Sequence, residues 1–280
     1  MTRRIVIVPL AAAVALAACL SACKREAPTP APAAPAAATT AAAPAAASTR
    51  AATPLQDVVE ATPRYVIGIS YPKEAAAYPG LVAALTRYAD AARKDLMDSV
   101  EGLGNDTPTA PYELSLSYTT LVDSPTLVAI AADGSSYTGG AHGSPLIARW
   151  VWLPAQNTML TSDKLVPDPK GWQAISDFVR EQLHTALSQR IDADDVPAES
   201  RADMLKDAGR MIDDGTEPRA DAFSEFEPRV GRDGRIDALR FVFPPYQVGP
   251  YADGTQTVDV PAEVLLPHVA PAYRSLFRGG

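Results

Sequence analysis

Apolar residues between positions 64 and 153 follow strand spacing, then helix spacing, then strand spacing again. A β-branched and aromatic run predicts the first strand, and an apolar repeat every three or four residues predicts an amphipathic helix after it. Three later apolar runs predict three more strands. The predicted elements are a strand at 64–71, a helix at 81–100 and strands at 112–122, 126–132 and 146–153. This part of the chain therefore has a β-α-β-β-β pattern.

Helical repeats dominate after Pro154, and short strands return near the C-terminus. The second helix of this part is predicted to begin near 194–197 and to end at Gly215, with a buried stripe of Met204, Leu205, Ala208, Met211 and Ile212. The other predicted elements are a helix at 172–187, a hairpin of 223–230 and 235–243, a strand at 257–260, and helical turns at 263–268 and 272–277. Strand runs mixed with helix runs predict an α+β fold with mixed or antiparallel sheets and packed helices.

Trp150 and Trp152 lie two positions apart on one predicted strand, so both side chains point to the same side. Two aromatic rings on one face could stack against sugar rings. Ile147, Val151 and Leu153 make the opposite face apolar as well. A strand that is apolar on both faces is typical of a buried position, so core packing is the stronger interpretation.

The first 22 residues are typical of a bacterial lipoprotein signal peptide. A short basic start precedes an apolar run, and the small residues before Cys23 form a lipobox. We therefore predict cleavage before Cys23, lipidation of this cysteine, and attachment to the membrane through its lipid chains. An ordinary secretion signal with an incidental cysteine is the alternative. Lys24, directly after the anchor, resembles the outer-membrane sorting pattern of Gram-negative lipoproteins, which predicts an exported protein facing the periplasm.

Residues 23–54 are dominated by Ala, Pro and Thr, which predicts a lipidated, disordered tether. The remaining residues, 55–280, are enough for one large domain or two small ones. We expect two closely associated subdomains, at residues 55–158 and 159–280. The only cysteines, Cys19 and Cys23, fall in the signal peptide and at the anchor, so neither a disulfide nor a cysteine metal site is expected.

The predicted folded part is acidic. Residues 55–280 contain 20 Lys and Arg against 32 Asp and Glu, a net charge of −12. The basic footprint of a nucleic-acid-binding protein is absent, so we expect no nucleic-acid partner. The negative charge permits a cationic protein partner, and plain solubility is the alternative explanation.

No metal site, cofactor or catalytic residue is predicted. His142, His184 and His268 lie far apart, and none has a histidine partner three or four residues away. The chain also lacks the motifs of common hydrolase nucleophiles and of phosphate-binding loops. A catalytic arrangement of Ser135 or Ser136 with His142 and a distant acid stays open, because triads are assembled in space and not along the sequence. We therefore predict a protein that is not an enzyme.

Three glycines and one histidine crowd the segment from Tyr137 to Gly143, between two predicted strands. Gly139, Gly140 and Gly143 permit backbone angles that other residues resist, as a tight crossing between strands requires. We expect His142 to form a hydrogen bond with the backbone of this turn. Contact with a ligand and a catalytic role are the two alternatives for this histidine.

This YTGGAHG segment resembles the hallmark of the RsiV-like extracytoplasmic domain family. The family includes a lysozyme-sensing anti-sigma factor and the N-terminal region of a peptidoglycan deacetylase. The later segment PYQVGPYA resembles the C-terminal motif of the same family, so Pro245, Tyr246, Pro250 and Tyr251 become candidate site residues. The resemblance covers about residues 60–275 and identifies the second subdomain as RsiV-like.

The family resemblance implies an envelope protein that binds a ligand, either a lysozyme-type protein or peptidoglycan. Only a few residues precede the apolar run, so we do not expect the sigma-factor-binding segment of the anti-sigma factor. We also do not expect deacetylation, because the matching region leaves no room for a catalytic domain after it. A cell-wall-acting hydrolase or deacetylase-related enzyme and a structural envelope protein are the alternatives.

Overall fold

The computed structural model describes residues 55–194 and 196–280. The predicted signal peptide (1–22), the lipidation site Cys23 and the tether (23–54) lie outside the described residues, so these three assignments stay predictions. Within the described part, no helix combines the length and apolar character that a membrane crossing needs.

The N-terminal part is a six-stranded sheet with one long helix. The strands pair in sequence order, and all neighbours are antiparallel except β2 and β3, which run parallel because a helix connects them. The helix has Pro79 in its first turn, where the missing N–H is not needed. The elements are β1 (Val58–Ala61), β2 (Tyr65–Ser70), α1 (Pro79–Gly102), β3 (Tyr112–Asp123), β4 (Val128–Tyr137), β5 (Ser144–Leu153) and β6 (Thr158–Met159).

The C-terminal part consists of helices packed with a three-stranded antiparallel sheet, in the strand order β7-β8-β9. The side chain of Asp168 accepts a hydrogen bond from the Lys170 N–H at 3.0 Å and so caps the longest helix, α3. The elements are α2 (Ser162–Leu165), α3 (Pro169–Ala193), α4 (Ala198–Gly215), β7 (Phe226–Val230), β8 (Ile236–Phe243), β9 (Gln256–Pro261) and α5 (Ala262–Leu265).

Two hydrophobic clusters lie on opposite faces of the six-stranded sheet. Val128 and Ile130 of β4 pack with α1 in one cluster, and Ala129 packs with α3 and the three-stranded sheet in the other. Successive side chains of a strand point to opposite faces, so β4 is buried on both sides. This explains its continuous apolar sequence.

Arg149 of β5 connects the two sheets. Its backbone N–H donates to Glu225 Oε2 at 2.5 Å, and its Nε donates to Glu227 Oε1 at 2.6 Å. Its Nη2 forms an ion pair with Asp133 at 2.9 Å, and only 7% of the side chain is exposed. A buried guanidinium is stable only with such a set of partners, so β7 is held against β5 at this residue.

The α+β fold class is confirmed, and all the strands and long helices predicted from the sequence are present. The buried stripe of α4 is partly wrong. Met204 and Leu205 are 45% and 40% exposed, whereas Gly209 and Ile212 are buried. The helix contacts α3 closely at Gly209, where an added Cβ would lie 3.1 Å from the ring of His184, and its N-terminal turns face solvent.

Two further differences concern strand bounds. The short edge strand β1 was not predicted, and Phe223 lies in a 3-10 turn (Ala220–Phe223) ahead of the hairpin rather than in it. Phe223 is fully buried between Trp172 and Phe241, so packing and not strand pairing decides its position. The subdomain boundary near residue 158 stays a prediction.

Candidate functional site

The YTGGAHG segment closes the hairpin between β4 and β5. Gly139 and Gly140 have φ angles of 98° and 97°, a region that residues with a side chain rarely adopt. The Tyr137 hydroxyl donates to the carbonyl of Gly140 at 3.2 Å and holds the turn together. The expected backbone angles are therefore confirmed for Gly139 and Gly140. The prediction is wrong for Gly143, which has no positive φ angle. Glycine is needed there because the chain is tightly packed, since a Cβ would lie 3.3 Å from the carbonyl oxygen of Ser136.

His142 lies at the end of this turn and uses both ring nitrogens. Its Nδ1 is 3.1 Å from the carbonyl oxygen of Gly143, which can only accept, so Nδ1 carries the proton. Nε2 is then the acceptor, and the Tyr246 hydroxyl donates to it at 3.0 Å. The expected bond to the backbone is confirmed. The bond to Tyr246, 104 residues later in the chain, was not predicted.

Tyr246 has an unusual backbone conformation, with a φ angle of 75°. Such an angle costs roughly 1–2 kcal/mol for a residue with a side chain. Two sets of hydrogen bonds hold it. The Tyr246 N–H donates to the carbonyl of Gly249 at 2.9 Å, and the side-chain amide of Gln247 donates to the carbonyls of Gly215 and Ala222, both at 2.9 Å. Strain that the surrounding structure maintains is concentrated at functional sites.

Tyr251 stacks on His142, with ring centroids 3.9 Å apart and an angle of 14° between the planes. It begins a 3-10 turn (Tyr251–Asp253), and Asp253 is anchored to α3 by an ion pair with Arg190 at 2.7 Å. The Tyr246 and Tyr251 rings are themselves 5.8 Å apart. The two sequence motifs thus meet in one place, and we call His142, Tyr246 and Tyr251 the aromatic cluster.

The aromatic cluster lies at the protein surface. His142 is exposed, the Tyr246 side chain is 55% exposed, and Tyr251 is half-buried. Pro245 and Pro250 precede the two tyrosines and restrict the backbone on their N-terminal sides. Phenol rings combine apolar area with a hydroxyl group, and few of their torsions must be fixed on binding. The three rings therefore form an exposed aromatic surface that is already ordered.

The arrangement of the histidines bears on the catalytic alternatives. In the described residues, His142 contacts neither Ser135 nor Ser136 nor any carboxylate, so the triad that the sequence left open is not assembled. His184 Nε2 lies 3.1 Å from Asp213 Oδ1, and the nearby Ser188 hydroxyl donates to the His184 backbone carbonyl and not to its ring. Residues 55–194 and 196–280 contain no group of three or more His, Cys, Asp or Glu side chains placed to hold a metal ion.

A separate pocket of about 460 Å³ lies near the C-terminal end of β5, between α1 and the segment before β7. Trp150, Trp152, Arg87 and Glu225 line it, together with small residues of α1. Trp152 is 4% exposed, and Trp150 packs edge-on against Tyr88 with centroids 5.4 Å apart. The core-packing interpretation is confirmed for Trp152, whereas Trp150 is half-buried against the same cluster, and their position beside a pocket was not predicted.

Burial perturbs two ionisable groups in this region. It raises the pKa of the Glu225 carboxyl, although the N–H and the charge of Arg149 act to lower that pKa. Burial, followed by the charge of Glu225, also raises the pKa of Tyr88 to about 12. Ionisable groups with displaced pKa values are concentrated at functional sites, so this pocket is a second candidate.

Sequence reasoning missed Arg87, Arg149 and Glu225. A signal existed for Arg149, because a charged residue inside a strand that is apolar on both faces needs a buried partner. Glu225 gave no such signal, since it lies between a 3-10 turn and a strand, where a carboxylate is usually solvated. Only the packing of β7 against β5 brings it to the pocket.

Two family models match separate parts of the chain. Residues 58–145 match the model described as deacetylase PdaC, and residues 162–263 match the model described as a protein of unknown function, DUF3298. The first match contains His142 and the second contains Tyr246 and Tyr251, so the aromatic cluster joins the two matched regions. The two matches together fit an RsiV/PdaC-like domain, as the motifs predict, and they suggest an envelope-related protein.

Two crystal structures of DUF3298 family proteins are similar to the chain. The protein from Bacteroides fragilis is 18% identical with a TM-score of 0.49, and the protein from Pseudomonas aeruginosa is 16% identical with a TM-score of 0.48. Each comparison covers 80% of this chain and 96% of the solved chain. No curated protein matches the chain.

Proposed function

We propose that the protein is a non-enzymatic envelope lipoprotein that binds a lysozyme-type protein through the aromatic cluster. One observation carries the proposal. His142 stacks on Tyr251 and accepts a hydrogen bond from Tyr246, so two motifs distant in sequence form one exposed aromatic surface.

The local geometry supports binding more than catalysis. Tyrosine is enriched among the residues that contribute most to protein interfaces. Tyr246 is 55% exposed, and three hydrogen bonds, one from its own N–H and two from the Gln247 side chain, maintain its strained backbone. Both ring nitrogens of His142 are bonded to groups of this surface, the Gly143 carbonyl and the Tyr246 hydroxyl, so the imidazole holds the Tyr246 ring in place. A surface that is already ordered loses little entropy on association.

The charge supports a cationic partner. Residues 55–280 have a net charge of −12, and lysozymes are commonly cationic. Complementary charge raises the association rate more than it strengthens the complex. Salt screens this electrostatic attraction over about 8–10 Å at physiological ionic strength. We therefore assign the acidic charge to steering and the aromatic cluster to affinity.

The proposed location follows from the N-terminal sequence. Lipidation of Cys23 would anchor the chain in the membrane, and Lys24 would direct it to the outer membrane, facing the periplasm. Residues 23–54 would then tether the folded part at a distance from the lipid surface. A lysozyme-type protein that enters the envelope would meet the folded part in this compartment.

The test is the binding of the purified full-length protein to immobilised c-type lysozyme at low salt and at about 0.15 M salt. We expect specific binding that keeps measurable affinity at the higher salt. Tyr246→Ala should weaken it at least tenfold, which corresponds to about 1.4 kcal/mol. Leu121→Ala is the matched control, because Leu121 is 39% exposed and lies toward the opposite end of the sheet.

Cytochrome c, a basic protein with no relation to lysozyme, controls for charge. Equal binding to cytochrome c, or binding that disappears at about 0.15 M salt, would reduce the interaction to nonspecific attraction. Binding to insoluble peptidoglycan without binding to lysozyme would identify the glycan as the ligand instead. Release of soluble fragments from that peptidoglycan would contradict the non-enzymatic assignment.

A further inference from the structure

The pocket lined by Trp150 and Trp152 is distinct from the aromatic cluster. β5 runs from Ser144 to Leu153, and the cluster lies at its N-terminal end. At about 3.3 Å per residue, Trp152 lies roughly 26 Å along the strand from Ser144. A ligand in the pocket would therefore not contact His142, and the two sites can be tested separately.

One wall of the pocket is an indole packed directly against a helix. A Cβ on Gly80 of α1 would lie 2.3 Å from Cη2 of Trp152, so glycine is required for this contact. Trp152 is 4% exposed, and its Nε1 has no hydrogen-bond partner among residues 55–194 and 196–280. This N–H is sealed from solvent, so it is a buried polar group that offers no contact to a ligand in the pocket.

The polar groups of the pocket come from three elements. Glu225 Oε2 accepts a hydrogen bond from the backbone N–H of Arg149, and its Oε1 is 3.4 Å from the Ser224 hydroxyl. Arg149 itself is occupied by Glu227 and Asp133. Arg87 of α1 is exposed and forms no ion pair with any residue that the structure describes. The pocket thus offers a carboxyl and an uncommitted guanidinium beside two indoles.

We propose that this pocket binds one sugar unit, with the ring against Trp150 and with its hydroxyl groups bonded to Glu225 and Arg87. A pyranose ring has an apolar C–H face, which suits an indole, and an edge of hydroxyl groups that both donate and accept. A carboxyl group accepts hydrogen bonds from them, and a guanidinium donates hydrogen bonds to them. The volume of about 460 Å³ lies in the range of small-molecule sites. This site goes beyond the proposed function, because it differs in place and in ligand class.

The intrinsic tryptophan emission of the full-length protein reports on this site. The chain has three tryptophans, of which Trp150 and Trp152 line the pocket, while Trp172 packs against Phe223 in the other core. We expect N-acetylglucosamine, N-acetylmuramic acid or glucose to change the emission saturably, with a Kd of about 1 mM. Trp150→Phe should remove most of the change.

Two variants test the polar contacts. Glu225→Gln and Arg87→Gln should each weaken sugar binding at least fivefold and leave lysozyme binding unchanged, whereas Tyr246→Ala should do the reverse. Circular dichroism and thermal melting establish that each variant is folded. The proposal is overturned if no sugar gives a saturable change, if the open-chain polyol sorbitol gives the same change, or if both variants bind sugar like the unaltered protein. Failure of lysozyme binding alone would leave this result unaffected.

Discussion

His142 and Tyr251 should contribute to stability as a coupled pair. Their rings stack at 3.9 Å, and such a contact contributes roughly 0.5–1.5 kcal/mol beyond area burial. His142 also loses its hydrogen bonds to Tyr246 and to the backbone when it is replaced, each worth roughly 0.5–1.5 kcal/mol and less at an exposed position. We expect His142→Ala to cost about 1 kcal/mol, Tyr251→Ala slightly more, and the coupling free energy to be about 0.5–1 kcal/mol.

The assay is a double-mutant cycle on the full-length protein, with free energies of unfolding from urea titrations. Thermal melting provides a second readout, because 1 kcal/mol shifts the Tm of a domain of this size by roughly 2–4 °C. His184→Ala is the matched control. His184 is a half-buried histidine that also has a hydrogen-bonded Nε2, but its partner is Asp213 and, in the described residues, it stacks on no tyrosine.

Additivity would refute the reasoning. If the His142→Ala and Tyr251→Ala effects sum to the effect of the double variant within about 0.3 kcal/mol, the two rings do not stabilise each other. The same coupling in the His184–Tyr251 cycle would show a general effect of histidine removal. In either case the two motifs would share a surface without forming one structural unit.

Three further perturbations give expected outcomes. Gly140→Val should lower the free energy of unfolding by about 1–2 kcal/mol or more, because the φ angle of Gly140 is 97°. The decrease is measured as a lower Tm, and Gly102→Val is the control that should not show it, since Gly102 has an ordinary φ angle and open space around it. The pKa of Glu225 is raised in the folded state, so its contribution to stability is complete below the unfolded pKa and is lost as pH rises through the folded pKa. The Tm of Glu225→Gln relative to the unaltered protein should therefore rise with pH above about 4.3, and a difference that does not vary with pH contradicts this. Cys23→Ser should remove the acylated mass and release the protein from the membrane fraction, and unchanged mass and fractionation would contradict the lipoprotein assignment.

Apolar repeats predicted the structure correctly for helices that bury their apolar face along the whole length. The repeat from Leu81 to Val100 predicted the face of α1 that is buried in the structure. The same reasoning failed at Met204 and Leu205, because the residues of α4 that pack into the core, Ala208 and Ile212, lie in its C-terminal half. A repeat shows that a helix has an apolar face, and the tertiary structure determines how much of that face is covered.

The candidate site was predicted in parts and not as a whole. The glycines, His142 and the two tyrosines were identified from two motifs, and their residue types predicted local turns. Their contact could not be predicted, because a hydrogen bond between residues 104 positions apart depends on how the whole chain folds. The positive φ angle of Tyr246 could not be predicted either, since a tyrosine in the sequence does not indicate that conformation.

The most direct test of the central claim is a hydrogen–deuterium exchange footprint of the full-length protein with and without lysozyme. The account predicts slower exchange in the two segments that carry the aromatic cluster, residues 138–143 and 244–252, and no change in α4 or near Glu225. Protection elsewhere, with these two segments unchanged, would contradict the assignment of the aromatic cluster as the contact surface.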